Sequence, residues 1–320
     1  MTNALKVLFW QVFVSASLIV FAISAPAAPA HAQERQTALE VHGTLFDIDA
    51  ATGLTPYVAQ AIEVVTEHWP RVAAATGASE GERVEIHFEH RFDDWFEREQ
   101  VPAQPPEYAI GLALPWRRTI LMVPGNTEWR STLVHELTHV AVAMAAHDGD
   151  VPVWFTEGLA VSLANQWDFE KASVLVNAAR TGGILPMESI ADSWPQQADR
   201  AALAYAQGNR FVEWVRREFG EDVWTRVLPT MSEESTFASS YQAVTGELLS
   251  VSYDRFESSM AARAGWGPLL VGFLALVSIV AGIVGYAWWR RIAERRRRLE
   301  RLGQQERNRY GSDPDDTTFA

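Results

Sequence analysis

The sequence predicts an α+β fold, in which a small mixed or antiparallel N-terminal sheet packs on a helical part and one transmembrane helix follows near the C-terminus. Strand-like alternation of apolar and polar residues occurs within residues 39–123, and helical spacing dominates residues 127–260. Residues 268–289 form an apolar run without a charge. The region between the two chain ends has about 230 residues, a length typical of one domain.

The strands are predicted from period-two alternation, which places apolar side chains on one face of a sheet. The pattern occurs at residues 39–48, 83–89, 108–114 and 119–123, and the last two predict a hairpin-like pair. Turn-forming residues separate the strands at Pro102, Pro105, Pro106 and residues 124–126.

The helices are predicted from apolar residues that recur every three or four positions. They are expected at residues 55–75, 127–146, 153–166, 169–180 and 199–219, with one or two more within 235–260, and residues 92–99 form a short helix or a turn. Gly77 and Gly220 follow two of these helices, as C-terminal caps do. Pro70 is expected to kink or end the main part of the first helix.

Residues 1–32 are typical of a signal peptide. Lys6 precedes an apolar segment at residues 8–23, and an Ala-x-Ala cleavage pattern ends at Ala32. An uncleaved signal anchor is the alternative.

Residues 266–289 predict a transmembrane helix, because a charge-free run of 22 residues is about 33 Å long as a helix and matches the hydrocarbon core. Tryptophan and tyrosine flank the run at Trp266, Tyr286, Trp288 and Trp289. The arginine-rich segment of residues 290–320 follows, and the positive-inside rule places it in the cytoplasm. We therefore expect residues 33–265 to form an exported domain, held at the cell membrane by this single helix.

Charge is distributed unevenly along the chain. The net charge is −13, residues 290–320 hold nine arginines and six acidic residues, and Lys6 is the only charged residue before residue 33. Residues 33–289 therefore carry a charge of −17, which argues against nucleic acid as a partner. The chain has no cysteine, so thiol catalysis, thiolate metal sites and disulfides are excluded.

The motif HELTH at residues 135–139 places His135 and His139 four residues apart on a predicted helix. Side chains at this spacing share one face, so both imidazoles can bind one Zn²⁺. Glu136 lies beside them and can accept the proton of a water at the metal. A pair of surface histidines on an amphipathic helix is the alternative.

Glu157 is the candidate for the third zinc ligand, since a catalytic zinc needs three protein ligands and an open position. It lies 18 residues after His139, within the otherwise apolar segment 153–163. A carboxylate there is costly to bury unpaired, and a metal would satisfy it. Gly158 is expected to permit close approach of the two metal-binding helices. A core salt bridge is the alternative for Glu157.

HELTH followed by PVWFTEGLA resembles the gluzincin metallopeptidases, specifically the peptidase MA-like family. The resemblance implies a zincin-like fold with His135, His139 and Glu157 as zinc ligands and peptides or proteins as substrates. Residues 118–123 resemble the edge strand beside the cleft of such enzymes. Later helices also have matches, at residues 204–215 and 237–249.

The sequence departs from related classes at informative positions. Val142 and Ala145 stand where metzincins have a glycine and a third histidine, so that class is excluded. His147 is expected to be an exposed residue at the helix end. Val161 stands where thermolysin-like enzymes carry an aspartate four residues after the glutamate ligand, so the partner that orients a histidine must come from elsewhere.

The predicted function is peptide-bond hydrolysis by a zinc-activated water, with Glu136 as general base. Tyr205 is the candidate donor to the oxyanion. A core position for Tyr205 is the alternative, and His87, His90 and Tyr241 stay open for the donor role. Two other functions stay open: an inactive or metal-binding exported module that acts in protein interaction, and a zinc hydrolase that cleaves non-peptide amides.

Overall fold

The computed structural model describes residues 37–101, 109–125, 127–195 and 197–310. At residues 263–274 and 307–310 it describes the backbone but not the side chains. The predicted signal peptide, the proline loop at residues 102–106 and Trp266 as an interfacial aromatic therefore lie outside the described part. The chain forms two compact units, one ending at Ser259 and the other beginning at Met260.

The N-terminal part forms a five-stranded mixed sheet, as predicted. The strands are β1 (Thr37–Val41), β2 (Thr44–Ala50), β3 (Arg83–Phe88), β4 (Gly111–Leu114) and β5 (Thr119–Met122), in the order β1-β2-β3-β5-β4. The pairs β2–β3 and β3–β5 are parallel, whereas β1–β2 and β4–β5 are antiparallel.

The single strand predicted at residues 39–48 is wrong, because β1 and β2 are two strands joined by a tight turn. His42 and Gly43 occupy the turn with φ values of 50° and 73°. Positive φ at both central residues is the geometry of a two-residue hairpin turn that matches strand twist. The alternation of apolar and polar residues continues across the turn, so the sequence pattern did not reveal that the strand is interrupted there.

The described part contains nine helices, which follow the predicted order except that the short helix at Val223–Val227 was not predicted. They are α1 (Thr55–Thr76), α2 (Phe92–Glu99), α3 (Trp129–Ala145), α4 (Val153–Leu163), α5 (Phe169–Thr181), α6 (Ala198–Phe219), α7 (Val223–Val227), α8 (Phe237–Thr245) and α9 (Leu249–Tyr310). Helix α1 continues through Pro70 to Thr76, so Pro70 does not end the helix, and the alternative of a kink stays a prediction. Trp69 and Val72 on either side of Pro70 are fully buried, and their packing holds the helix together there.

Both faces of the sheet are covered. Phe46 of β2 packs edge-on against Trp69 of α1, and Phe88 of β3 packs edge-on against Trp129 of α3. The opposite face of β4 and β5 contacts a separate cluster from α2, made of Phe92, Trp95, Phe96, Leu114 and Leu121. The sheet is thus a central layer, and α3 is fastened directly to it.

Helix α4 lies in the core of the helical part. Trp154 is fully buried and forms ring contacts with Phe211 of α6 and Tyr253 at the start of α9. The Trp154 indole N–H also donates to the Tyr253 hydroxyl over 2.8 Å. These contacts fix α4 between α6 and the first turns of α9.

The second unit consists of the later part of α9. Its segment Ala275–Glu306 is long and apolar enough, by length and composition, to cross a membrane, and its side chains are exposed. Exposed apolar residues there include Leu276, Ile283 and Trp288. The predicted apolar span therefore exists as a helix, while its orientation in a membrane stays a prediction.

Candidate metal centre

Helix α3 presents both histidines of the motif on one face. The His135 and His139 rings have centroids 4.8 Å apart and meet edge to face at 70°. An apolar stripe on the same helix, at Leu133, Leu137 and Val140, is fully buried and fixes the rotation of the helix. The i, i+4 spacing therefore brings both imidazoles to one point, as predicted.

Helix α4 brings Glu157 to the same point. Its Oε2 atom lies 3.3 Å from His135 Nε2 and 3.8 Å from His139 Nε2. The three potential ligand atoms all lie within 4.8 Å of one another. Within residues 37–101, 109–125, 127–195 and 197–310, no other set of three or more histidine, aspartate or glutamate side chains is arranged to hold a metal.

The residues fit a zinc ion. Zinc bonds of about 2.0–2.2 Å in a tetrahedral site separate neighbouring ligand atoms by about 3.4 Å. The two measured separations from Glu157 Oε2 are 3.3 and 3.8 Å. Oε2 is buried, faces the two histidines and makes no hydrogen bond, although burying a carboxylate oxygen without a hydrogen bond is costly. A cation between the three side chains would satisfy it.

The pKa shifts of two side chains favour protonation states that bind metal. Burial, together with the nearby His135, lowers the pKa of His139 to about 4. Burial raises the pKa of Glu157, but the two histidines outweigh it and leave that pKa below its ordinary value. Neutral imidazole and ionised carboxylate are the forms that act as ligands. For His135, burial lowers the pKa, and Glu157 outweighs it and raises the pKa.

The Glu136 carboxylate contacts the edge strand β4 and is not one of the three potential metal ligands. Its Oε2 accepts a hydrogen bond of 2.8 Å from the Ala113 backbone N–H. A Cβ atom on Gly111 would lie 3.0 Å from Glu136 Oε1 and 2.6 Å from the Thr132 side chain, so a larger residue would require these two side chains to shift. Burial raises the pKa of Glu136 to about 7. Sequence analysis could not identify Ala113, because its contribution is a backbone group.

The edge strand beside the site is β4, and the prediction that residues 118–123 form it is wrong. Strand β5 lies inside the sheet between β3 and β4. Arg118 instead occupies a left-handed turn before β5, with φ of 54°, and pairs with Asp148 over 2.6 Å. That ion pair joins the β4–β5 connection to the loop after α3.

Gly158 permits a close contact between helices. The contact is with α6, whereas the sequence analysis predicted a contact with α3. A Cβ on Gly158 would lie 2.5 Å from the Gly208 carbonyl carbon, and a Cβ on Gly208 would lie 2.5 Å from the Trp154 carbonyl oxygen. The Asn209 side chain donates to the Gly158 carbonyl over 3.0 Å. The glycine pair therefore sets the position of α4, and with it Glu157.

The partner of His135 is Gln166, which sequence analysis missed. The Gln166 amide oxygen lies 3.0 Å from His135 Nδ1. Val161, where a related class has an aspartate, is buried in the core. His147 is exposed after the end of α3, as predicted.

Tyr205 lies on α6, one turn before Gly208, and its ring packs edge-on against Trp194 with centroids 4.8 Å apart. The three alternatives for the oxyanion donor have partners of their own. These are Asp49 for His87 at 2.8 Å, the Thr52 carbonyl for His90 at 3.0 Å, and Ser252 for Tyr241 at 2.7 Å.

Comparison with solved structures found M1 zinc metallopeptidases. One is a variant of a two-domain enzyme bound to L-tryptophan, with a TM-score of 0.35 and 15% sequence identity. Another is the two-domain enzyme variant bound to L-arginine, with a TM-score of 0.38 and 14% sequence identity. An M1 zinc metallopeptidase variant from Deinococcus radiodurans, bound to a Tyr-Ser-Ala substrate, has 0.35 and 14%. Each match covers 71% of this chain and 51% of the other, so the chain spans about half the length of these peptidases.

No curated protein matches the chain. The model of the Peptidase MA superfamily matches residues 65–262, which is more than half of the chain and includes the HELTH motif, the edge strand β4 and the Glu157 segment. The chain therefore belongs to the Peptidase MA superfamily.

Proposed function

We propose that this protein is a zinc-dependent peptidase whose metal ligands are His135, His139 and Glu157. The observation that carries the proposal is the buried Glu157 Oε2, which has no hydrogen bond and lies 3.3 and 3.8 Å from the two histidine Nε2 atoms. Bound there, Zn²⁺ would supply Lewis-acid chemistry, polarising a scissile carbonyl and making a nearby water more acidic.

Glu136 is the proposed general base. It lies next to His135 in sequence but is turned toward β4, so its carboxylate does not join the ligand group. The hydrogen bond from Ala113 occupies Oε2, and Oε1 stays available to accept a proton from the attacking water. The same carboxyl group would then deliver that proton to the leaving amine.

Tyr205 is the proposed donor to the oxyanion that forms when water adds to the carbonyl. Its helix is fixed to α4 by the glycine contact of Gly158 and Gly208. Its ring is held by Trp194. Tyr205→Phe should therefore lower kcat while leaving zinc binding unchanged, because only the hydroxyl is removed.

The proposed location is the cell membrane, with residues 33–265 outside the cytoplasm and residues 290–320 inside. The apolar segment of α9 and the arginines after it support this orientation. External protease acting on intact spheroplasts should remove the domain and spare the tail. Protection of the domain would show the opposite orientation.

The test uses the full chain purified in detergent without chelator. Native protein should contain about one zinc per chain and cleave members of a peptide library. Glu136→Gln should keep the zinc and lose about 10²–10⁴-fold in rate, because glutamine cannot accept the proton. Glu97→Gln, an exposed position on α2, is the matched control and should keep both.

Two results would contradict the proposal. One is native protein that contains no zinc and takes none up on titration. The other is Glu136→Gln with full activity on every peptide that native protein cleaves, which would mean that the chemistry lies elsewhere in the chain.

A further inference from the structure

We infer that Gln166 positions His135 for metal binding, in the place that a carboxylate takes in thermolysin-like enzymes. The inference rests on the proposed function, since it assigns a role within the same centre. The Gln166 amide oxygen lies 3.0 Å from His135 Nδ1. The equivalent position on α4, four residues after Glu157, holds the buried apolar Val161.

The contact fixes which nitrogen of His135 carries the proton. An amide oxygen only accepts hydrogen bonds, so Nδ1–H donates to Gln166, and in the neutral ring that binds a metal the lone pair is then on Nε2. Nε2 is the atom that lies 3.3 Å from Glu157 Oε2. Gln166 therefore holds the ring in the tautomer and rotation that direct a lone pair at the metal position.

The backbone is built to hold Gln166 there. Helix α4 ends in a left-handed turn at Asn165, whose φ is 54°. The Gln166 N–H donates back to the Val161 carbonyl over 3.0 Å, which closes the turn as in a Schellman motif. This reversal sends the Gln166 side chain back toward α3.

Contacts on both sides of the turn keep it in place. The Arg71 guanidinium of α1 donates to the Leu163 carbonyl, one of the last carbonyls of α4. The Arg210 guanidinium of α6 lies over the Trp167 ring, 4.1 Å from its centroid. The chain is thus fastened before and after Gln166 by two different helices.

A neutral partner has a chemical consequence. With Gln166, the only negative charge among the zinc ligands and this partner is that of Glu157. A carboxylate at position 166 would add a second negative charge next to His135 and strengthen its bond to a cation. Gln166→Glu should therefore bind zinc at least as tightly as native protein, which makes it a test of the hydrogen bond itself.

The experiment measures zinc affinity of the full chain in detergent by competition with a chelating dye. Gln166→Leu keeps the approximate size but accepts no hydrogen bond, and should weaken zinc binding about 10–100-fold. Gln166→Glu should restore affinity to the native value or above. Gln242→Leu, an exposed glutamine on α8, is the matched control and should bind zinc as native protein does.

A spectroscopic measurement separates positioning from general damage. Co²⁺ replaces zinc, and its visible absorption bands report ligand geometry. The bands of Gln166→Leu should shift, whereas those of Gln242→Leu should not. The turn provides a second pair of variants: Asn165→Gly keeps positive φ and should keep native affinity, while Asn165→Val disfavours it and should weaken binding.

Failure of the inference about Gln166 can be distinguished from failure of the proposed function. If Gln166→Leu binds zinc with native affinity and a native cobalt spectrum, the inference is overturned while the proposed function stands. If Gln166→Leu and Gln166→Glu are weakened equally, zinc binding does not depend on an oxygen acceptor at this position, and the inference is again overturned. If native protein itself binds no zinc, the proposed function fails and takes the inference with it.

Discussion

The contact between α4 and α6 predicts that Gly158→Ala disturbs both the fold and the metal centre. The added Cβ would lie 2.5 Å from the Gly208 carbonyl carbon and 2.7 Å from the Asn209 nitrogen. These are backbone atoms, which cannot rotate away as a flexible side chain could. The two helices must therefore separate before alanine fits.

The size of the separation follows from the distances. Ordinary contact begins near 3.4 Å, so a Cβ at 2.5 Å requires a movement of about 0.9 Å. If the helices share it equally, Glu157 moves by about 0.5 Å, which is the tolerance of a functional site. We expect zinc affinity to fall on the order of 10-fold.

Two opposing terms set the change in stability. Overpacking costs about 1–3 kcal/mol, and a backbone clash lies at the upper end of that range. Replacing glycine by alanine in a helix recovers about 1 kcal/mol. The net loss of about 1–2 kcal/mol should lower Tm by roughly 2–8 °C for a domain of this size.

The assay is thermal unfolding followed by tryptophan fluorescence, together with zinc competition, on the full chain in detergent. Gly303→Ala is the matched control, because Gly303 also lies in a helix but has open space where its Cβ would be. It should change neither Tm nor affinity. Gly208→Ala affects the same contact between α4 and α6. The double variant should therefore lose less unfolding free energy than the sum of the losses in the two single variants. Native stability and native zinc affinity in Gly158→Ala would refute the reasoning.

Three further predictions follow from the described contacts. Glu157→Gln should lose most of its zinc by elemental analysis, because it removes the only anionic ligand, and full zinc retention would reverse its assigned role. Gly111→Ala should lower kcat with zinc retained, since its Cβ would press on the Glu136 carboxylate, and zinc loss instead would contradict this. For His87, burial lowers the pKa, but the hydrogen bond and charge of Asp49 outweigh it and raise the pKa above 6.5. Its stabilising effect is full below pH 6.5 and is lost as pH rises through the raised pKa, so the difference in unfolding free energy between native protein and His87→Gln should shrink with pH; a constant difference would refute this.

The proximity of the two histidines could be predicted from sequence because their geometry is local. Two residues four apart on a helix share a face whatever the rest of the fold is. Glu157 required one further step, namely that a carboxylate in an apolar helix needs a partner. The structure brings its Oε2 to the histidines. The cost of burying a carboxylate therefore predicted a contact between side chains that are 18 residues apart, at His139 and Glu157.

The sheet order and helix contacts could not be predicted in the same way, because they depend on tertiary packing. Strand β5 lies between β3 and β4 although it follows both in sequence, so the edge strand was assigned to the wrong residues. Gly158 was correctly expected to permit a close helix approach, but the glycine does not specify which helix approaches. Its partner Gly208 lies 50 residues away.

The residues that position the side chains of the site differ in which amino acids could replace them. Ala113 contributes a backbone N–H to Glu136, and every residue except proline has that group. Gly111 contributes the absence of a side chain, and Gln166 contributes an oxygen acceptor that glutamate also has. Since none of these requirements resembles a ligand motif, they become visible only once strand and helix are placed together. The three proposed ligand side chains therefore identify the centre, while its geometry is set by groups that many sequences could supply.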